Sequence, residues 1–252
     1  LRVVNVNFRS PGILGFIAQL GGGGVFIPLH FFLHIVFCPT VQLQSSADRR
    51  IDINRAFFWL PLMLVFHTVP IFGMYLSSDF EARHYWTWAW QLFSVRVSLG
   101  YYAMLAFSRV VPSSMKNLGK RMSYHTALRI ILGPFIAISA AVWINLLINC
   151  PYSFSTLFSP IKSGPEIGSR WVGMMRRCLQ YDELVVFGSA FVWLLFMGVD
   201  ARTAKMWSQS QTLGFAAMLV LIPAIGPGAT SGVMWLWRER ALVEDKVIKK
   251  RN

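Results

Sequence analysis

Acidic residues are scarce in this 252-residue chain: 11 Asp and Glu stand against 24 Lys and Arg, a formal net charge of +13. Such an excess often marks nucleic-acid binding, but here the basic side chains cluster at the ends of apolar runs. Arg49, Arg50 and Arg55 form one cluster, Lys116, Lys120 and Arg121 a second, and Arg176 and Arg177 a third; Lys246, Lys249, Lys250 and Arg251 make a basic tail. That is a juxtamembrane arrangement, drawn to anionic headgroups, so the expected partner is a lipid bilayer and no nucleic acid. Cysteine is sparse as well. Cys38, Cys150 and Cys178 are odd in number and lack CxxC or Cys/His ligand spacing, so they read as free thiols rather than a disulfide framework or zinc site. Aspartate-rich NDxxD or DDxxD motifs, which hold magnesium diphosphate, do not occur, nor does HExxH, GxSxG, a phosphate loop or a dinucleotide fingerprint. An enzyme built on this chain is expected to work by acid chemistry, with no cofactor and no metal.

Apolar length is abundant. Residues 12–37, 130–148, 184–199 and 213–237 each run without a single Asp, Glu, Lys or Arg. A hydrocarbon core about 30 Å thick needs roughly 20 helical residues to cross it. Several such runs define a polytopic membrane protein, and because each crossing must satisfy its own backbone, the fold class is all-α. The expected architecture is a single integral-membrane helical domain over 1–252. Six membrane helices are expected at Gly12–Phe37, Ala56–Leu76, Trp88–Val111, Ala127–Asn149, Glu183–Val199 and Thr212–Trp237. Ile167–Gln180 alternates Ile167, Trp171, Met174, Met175 and Leu179 with arginines and reads as a short interfacial helix. The chain opens at Leu1 rather than Met, so a preceding piece is expected, and its first apolar run is too long for a signal-peptide core.

Polar groups inside a bilayer are costly and are functional candidates by default. Arg96 falls in the middle of the third expected helix and needs an acid, backbone carbonyls or a ligand as partner; Gln91 lies earlier on it, near the interface. His30 and His34, four apart, share a helix face; they could bind a metal, but no third ligand is near in sequence, and packing or substrate contact is the simpler role. Among the few acids, Asp182 and Glu183 open the fifth expected helix, where the helix dipole favours a carboxylate, and Glu239 lies at the edge of the sixth. Gly21–Gly24 followed by Pro28, and Gly226-Pro227-Gly228, should break the first and sixth helices or admit a close neighbour. Paired broken helices also build midplane transport sites, which gives an alternative reading: a small transporter or lipid-binding membrane protein, with Arg96 as anion anchor. A third reading has no catalysis, the intramembrane polar groups serving helix association alone.

Several segments together resemble a family of fungal integral-membrane terpene cyclases that act in meroterpenoid pathways such as those to ascochlorin, ascofuranone and macrophorin. They are GGGGVFIPLHFFLHIVF (Gly21–Phe37), the Asp52–Ala56 stretch leading into Pro61, LQYDELVVFGSAFVW (Leu179–Trp193) and GPGATSGVMWLWRERAL (Gly226–Leu242). The resemblance implies a cyclase, an isomerase of secondary metabolism, in the endoplasmic reticulum or another internal membrane. It would protonate an epoxide or terminal alkene on a prenylated small-molecule substrate and close rings through a carbocation. Such chemistry needs a strong acid, exclusion of water and aromatic faces for the cation. Asp182, beside Tyr181, is the first candidate acid and Glu239 the second. Arg96, His30, His34, Gln91, Tyr181, Trp90 and Phe187 are candidate substrate contacts, with Phe31, Phe32, Trp59, Phe93, Phe191 and Trp193 as further aromatic walls.

Overall fold

The computed structural model describes the backbone of residues 11–37, 53–110, 123–160 and 170–249, and side chains over 15–37, 56–107, 123–160 and 171–242. Cys38, Asp48, Asp52, Glu166 and the basic clusters at 49–55, 116–121 and 246–251 lie outside the described side chains. Every regular element described is helical: α1 (Pro11–Gly21), α2 (Gly23–Phe37), α3 (Ile53–Met63), a π-turn (Leu64–Thr68), α4 (Val69–Leu76), α5 (Phe80–Trp90), α6 (Phe93–Val110), α7 (Tyr124–Asn149), α8 (Phe154–Phe158), α9 (Arg170–Thr203), α10 (Gln209–Ala217), a 3-10 turn (Met218–Leu221) and α11 (Ile222–Lys249).

Four stretches are long and apolar enough to cross a membrane: Ala56–Leu76, Tyr124–Asn149, Trp171–Thr203 and Gln209–Leu242. Gly23–Phe37 and Phe93–Phe107 are shorter apolar helices. Large apolar side chains such as Val65, Leu99, Leu184, Phe196 and Leu213 point outward along these helices. In water they would form an aggregating surface; a bilayer accepts them as its own.

Three expected helices take a different form. The first is divided at Gly22, whose φ of 94° suits glycine and interrupts the α1–α2 path. The third does not run from Trp88: α5 stops at Trp90, Gln91–Leu92 form a turn with Leu92 at φ 61°, and α6 starts afresh at Phe93. No Gly or Pro announces that turn. The expected interfacial helix and the fifth span are one continuous helix, α9, of 34 residues, so Asp182 and Glu183 stand in its interior and not at its N-terminus. Nothing between Leu179 and Glu183 breaks the helical path.

The contacts divide the chain into two units. The first comprises 1–21 and 50–132, the second 22–49 and 133–252. In the first, α1 packs on α6: Ser94 Oγ donates to Gln19 Oε1 (2.6 Å), and a Cβ on Gly15 would stand 3.1 Å from the Ser94 Cβ. Gly100 of α6 lies against Leu62 and Phe66, and Gly73 of α4 against the Trp86 indole of α5. Small residues here permit the close helix approach that packing in a membrane uses.

In the second unit α2 and α9 pack side by side in the same direction, Gly24 against Asp182 and, further along, His34 against Trp193. A buried cluster of Leu194, Met197, Ala201, Met206, Trp207, Phe215, Met234 and Leu242 joins α9, α10 and α11. The break in α11 is built by three residues acting together. Pro227 has no N–H for the Pro223 carbonyl one turn back, Gly226 turns the chain at φ 82°, and Trp143 of α7 fills the notch. The Trp143 indole packs on Gly226, where a Cβ would fall 2.7 Å from its Cγ, and Nε1 donates to the orphaned Pro223 carbonyl at 3.1 Å.

Candidate active site

Asp182 serves a helix other than its own. Its Oδ1 accepts from the Gly24 N–H at 2.5 Å, at the first turn of α2. Helix N-termini carry unpaired N–H groups and the positive end of the dipole, so a carboxyl supplied from α9 caps α2 from outside. The glycines leave room for this contact: Cβ atoms on Gly23 and Gly24 would crowd the carboxyl, at 3.3 Å from Asp182 Oδ2 and 3.0 Å from Oδ1. Oδ2 makes no hydrogen bond among the described residues.

About three turns further along the same helix pair lies an aromatic stack. Phe31 of α2 stacks on Trp193 of α9 (centroids 4.7 Å apart, 20° between planes), and Trp193 stacks on Trp235 of α11 (5.4 Å, 15°). The Arg238 guanidinium sits 4.9 Å from the Trp235 ring centre and pairs with Glu239. Both are almost wholly buried, Arg238 at 2% exposure and Glu239 at 4%, and Glu239 is the one buried carboxylate among the described side chains. His34 approaches the Trp193 ring edge-on (5.5 Å, 86°), and its Nδ1 accepts from Trp193 Nε1 at 3.2 Å. His30 sits one turn back, its ring 6.0 Å from Phe31. Phe187 is half-buried, its ring near Gly228, whereas Tyr181 is exposed.

Arg96, Trp90 and Gln91 belong to the first unit. The break at Leu92 puts Arg96 one turn into α6 rather than mid-helix, and its guanidinium reaches back to the Ala89 carbonyl and over the Trp88 ring, 5.0 Å from the centroid. The Ala89 carbonyl in the last turn of α5 thus supplies the partner that a half-buried arginine needs. Trp90 stacks on Phe93 (5.7 Å), His67 of the π-turn meets Phe93 edge-on (4.6 Å), and Gln91 is an exposed turn residue. The Trp90 Nε1 is buried without a hydrogen-bond partner among the described residues.

The structure therefore groups His34, Phe31, Trp193 and Glu239 in one cluster, with Asp182 farther along the α2–α9 pair. Arg238 and Trp235 of that cluster were not singled out by sequence. Their signal was the WLWRE spacing: Trp235, Arg238 and Glu239 fall three and four apart, on one helix face.

The second unit's buried polar groups and the fold can be set beside known proteins. A 245-residue stretch covering 94% of this chain is 26% identical to the FAD-dependent monooxygenase verC1 of Penicillium polonicum, of which it covers 29%. Over 249 residues, 96% of the chain, it is 27% identical to the FAD-dependent monooxygenase anuJ of Penicillium roqueforti, covering 30% of that protein. The chain thus spans under a third of the curated relatives it matches. No solved structure matches. The family model of the CtvD domain matches residues 1–243, so the chain belongs to the CtvD-domain family.

Proposed function

We propose that this chain is a membrane-embedded, acid-initiated cyclase of fungal secondary metabolism, acting on the epoxide of a prenylated small molecule. The observation that carries the reading is the aromatic stack Phe31–Trp193–Trp235, flanked by His34 and the buried Arg238–Glu239 pair, on the same helix pair that holds Asp182. Polar and charged groups buried in membrane helices are costly, which makes them functional candidates by default. In this scheme Asp182 Oδ2 gives its proton to the epoxide oxygen and the epoxide C–O bond breaks. An alkene of the chain closes on the cation, the aromatic faces stabilise the positive charge, and a proton lost from carbon goes to a carboxylate. The product is an isomer of the substrate, and the scheme calls on no metal or redox cofactor.

The relatives favour an epoxide over a terminal alkene. They are named FAD-dependent monooxygenases and are more than three times as long as the matched segment. Oxygen insertion into an alkene is the reaction that would supply such a substrate. The transporter alternative needs free helix ends at the two breaks. At the first the Gly24 N–H is taken by Asp182, and at the second the Pro223 carbonyl is taken by Trp143.

Membranes containing the chain should convert a farnesylated phenol epoxide, but not the parent alkene, into a cyclised isomer identified by mass spectrometry and NMR. Conversion of the alkene alone would move the initiating step to alkene protonation. No conversion of either by folded protein, with uptake of the substrate into sealed vesicles instead, would replace the cyclase with a transporter.

A further inference from the structure

The contact between Trp193 and His34 fixes more than packing. An indole N–H can only donate, so at 3.2 Å the His34 Nδ1 must accept. The neutral ring's proton is then on Nε2, and a second proton would have to enter at Nδ1, where the indole N–H already points. Trp193 is itself held on both sides, by Phe31 and by Trp235, the latter carrying Arg238. The indole therefore cannot swing away without disrupting two stacks. Among the described residues His34 has no second hydrogen-bond partner, although its ring is half-buried. An imidazole N–H left unmet in an apolar helix pair is a specific donor, because any acceptor that enters gains more there than in water.

We propose that His34, held by Trp193 with its proton on Nε2, is a hydrogen-bond donor for an acceptor oxygen, a carbonyl or phenol oxygen, on the head group of an apolar-chain ligand. Trp193 is the positioning residue. This deepens the cyclase reading and rests on it for the name of the ligand: His34 is ten residues along α2 from Gly24, so it would anchor the end of the substrate away from the epoxide. His34 acts as a donor here and not as a base, and no proton leaves it.

The test needs no turnover. The protein is labelled with 15N-histidine in lipid nanodiscs, its five histidines are observed by long-range 1H–15N correlation, and His34 is assigned by its loss in His34→Gln. The His34 ring is expected as a single tautomer with Nδ1 unprotonated and Nε2 protonated. Geranylacetone, a prenyl chain with one carbonyl oxygen, should shift the Nε2 resonance, whereas the corresponding hydrocarbon should not. Trp193→Phe, which keeps a ring in the stack, should replace the single tautomer by an exchanging mixture and weaken the geranylacetone shift at least tenfold in ligand concentration. A wild-type ring protonated at Nδ1 would overturn the proposal without reference to any variant. So would a ketone that leaves Nε2 unmoved, or a hydrocarbon that moves it equally. These readouts stand apart from catalysis: a correct tautomer and ketone shift in a protein that cyclises no epoxide would retire the cyclase reading and leave His34 as a ligand-binding donor.

Discussion

The two units differ in where several of their polar groups find partners. In the first, while Ser94 reaches Gln19 across 75 residues, three groups are answered from close in sequence: Arg96 reaches Ala89 and Trp88, Arg83 Nε donates to the Ser77 carbonyl at 2.6 Å, and Asp79 caps its own helix through the Ala82 N–H. In the second, three answers come from other helices, while Arg238 and Glu239 pair as neighbours on α11. Asp182 caps α2 from 158 residues away, Trp193 meets His34 from 159 away, and Trp143 reaches Pro223 across 80. Local answers stabilise turns. Long-range answers fix α2 against α9 and α7 against α11, and a site that must hold reacting groups in register needs that rigidity. On that difference the proposed chemistry belongs to the second unit, and the first is expected to do structural work.

Substitutions should separate the units in a graded way. The largest loss is expected for Glu239→Ala, which breaks a buried ion pair and should lower unfolding free energy by about 3 kcal/mol in detergent denaturation. An unchanged midpoint would mean that the pair is solvated. Gly226→Ala places a side chain at positive φ against the Trp143 ring, and a loss of about 2 kcal/mol in the same experiment is expected. Trp143→Phe, which leaves the Pro223 carbonyl without a donor, should lose about 1 kcal/mol. In the first unit Arg96→Ala should also lose about 1 kcal/mol, because the Ala89 carbonyl and the Trp88 face remain accessible to other partners. The smallest effect belongs to Trp90→Phe. It deletes an unanswered N–H and should change stability by less than about 0.5 kcal/mol in either direction. A large loss there would reveal a partner for the indole and weaken the contrast between the units.

Much of this arrangement was legible because membrane helices write their signals plainly. Apolar length announced the all-α class, and Gly21–Gly24 and Gly226-Pro227-Gly228 announced two breaks that the structure contains. What stayed hidden were partners. A chain of apolar residues does not say that Asp182 will be interior to a 34-residue helix and cap a different one. The turn at Leu92 carried no glycine or proline, so Arg96 looked stranded in mid-helix when it stands a turn from the α5 carbonyls. Trp235 was not among the site residues read from the sequence. Its stack on Trp193 joins α9 to α11, a pairing across 42 residues that no local pattern encodes.

The account turns on where the chemistry resides, and one paired measurement tests that directly. Asp182→Asn and Arg96→Ala are expressed in membranes at matched levels of folded protein and assayed for isomerisation of a farnesylated phenol epoxide. Asparagine keeps an oxygen for the Gly24 N–H but has no acid proton. Asp182→Asn should therefore lose at least a hundredfold in turnover while remaining folded, and Arg96→Ala should stay within a fewfold of the unaltered chain. Full activity in Asp182→Asn together with its loss in Arg96→Ala would contradict the account and move the reaction to the first unit.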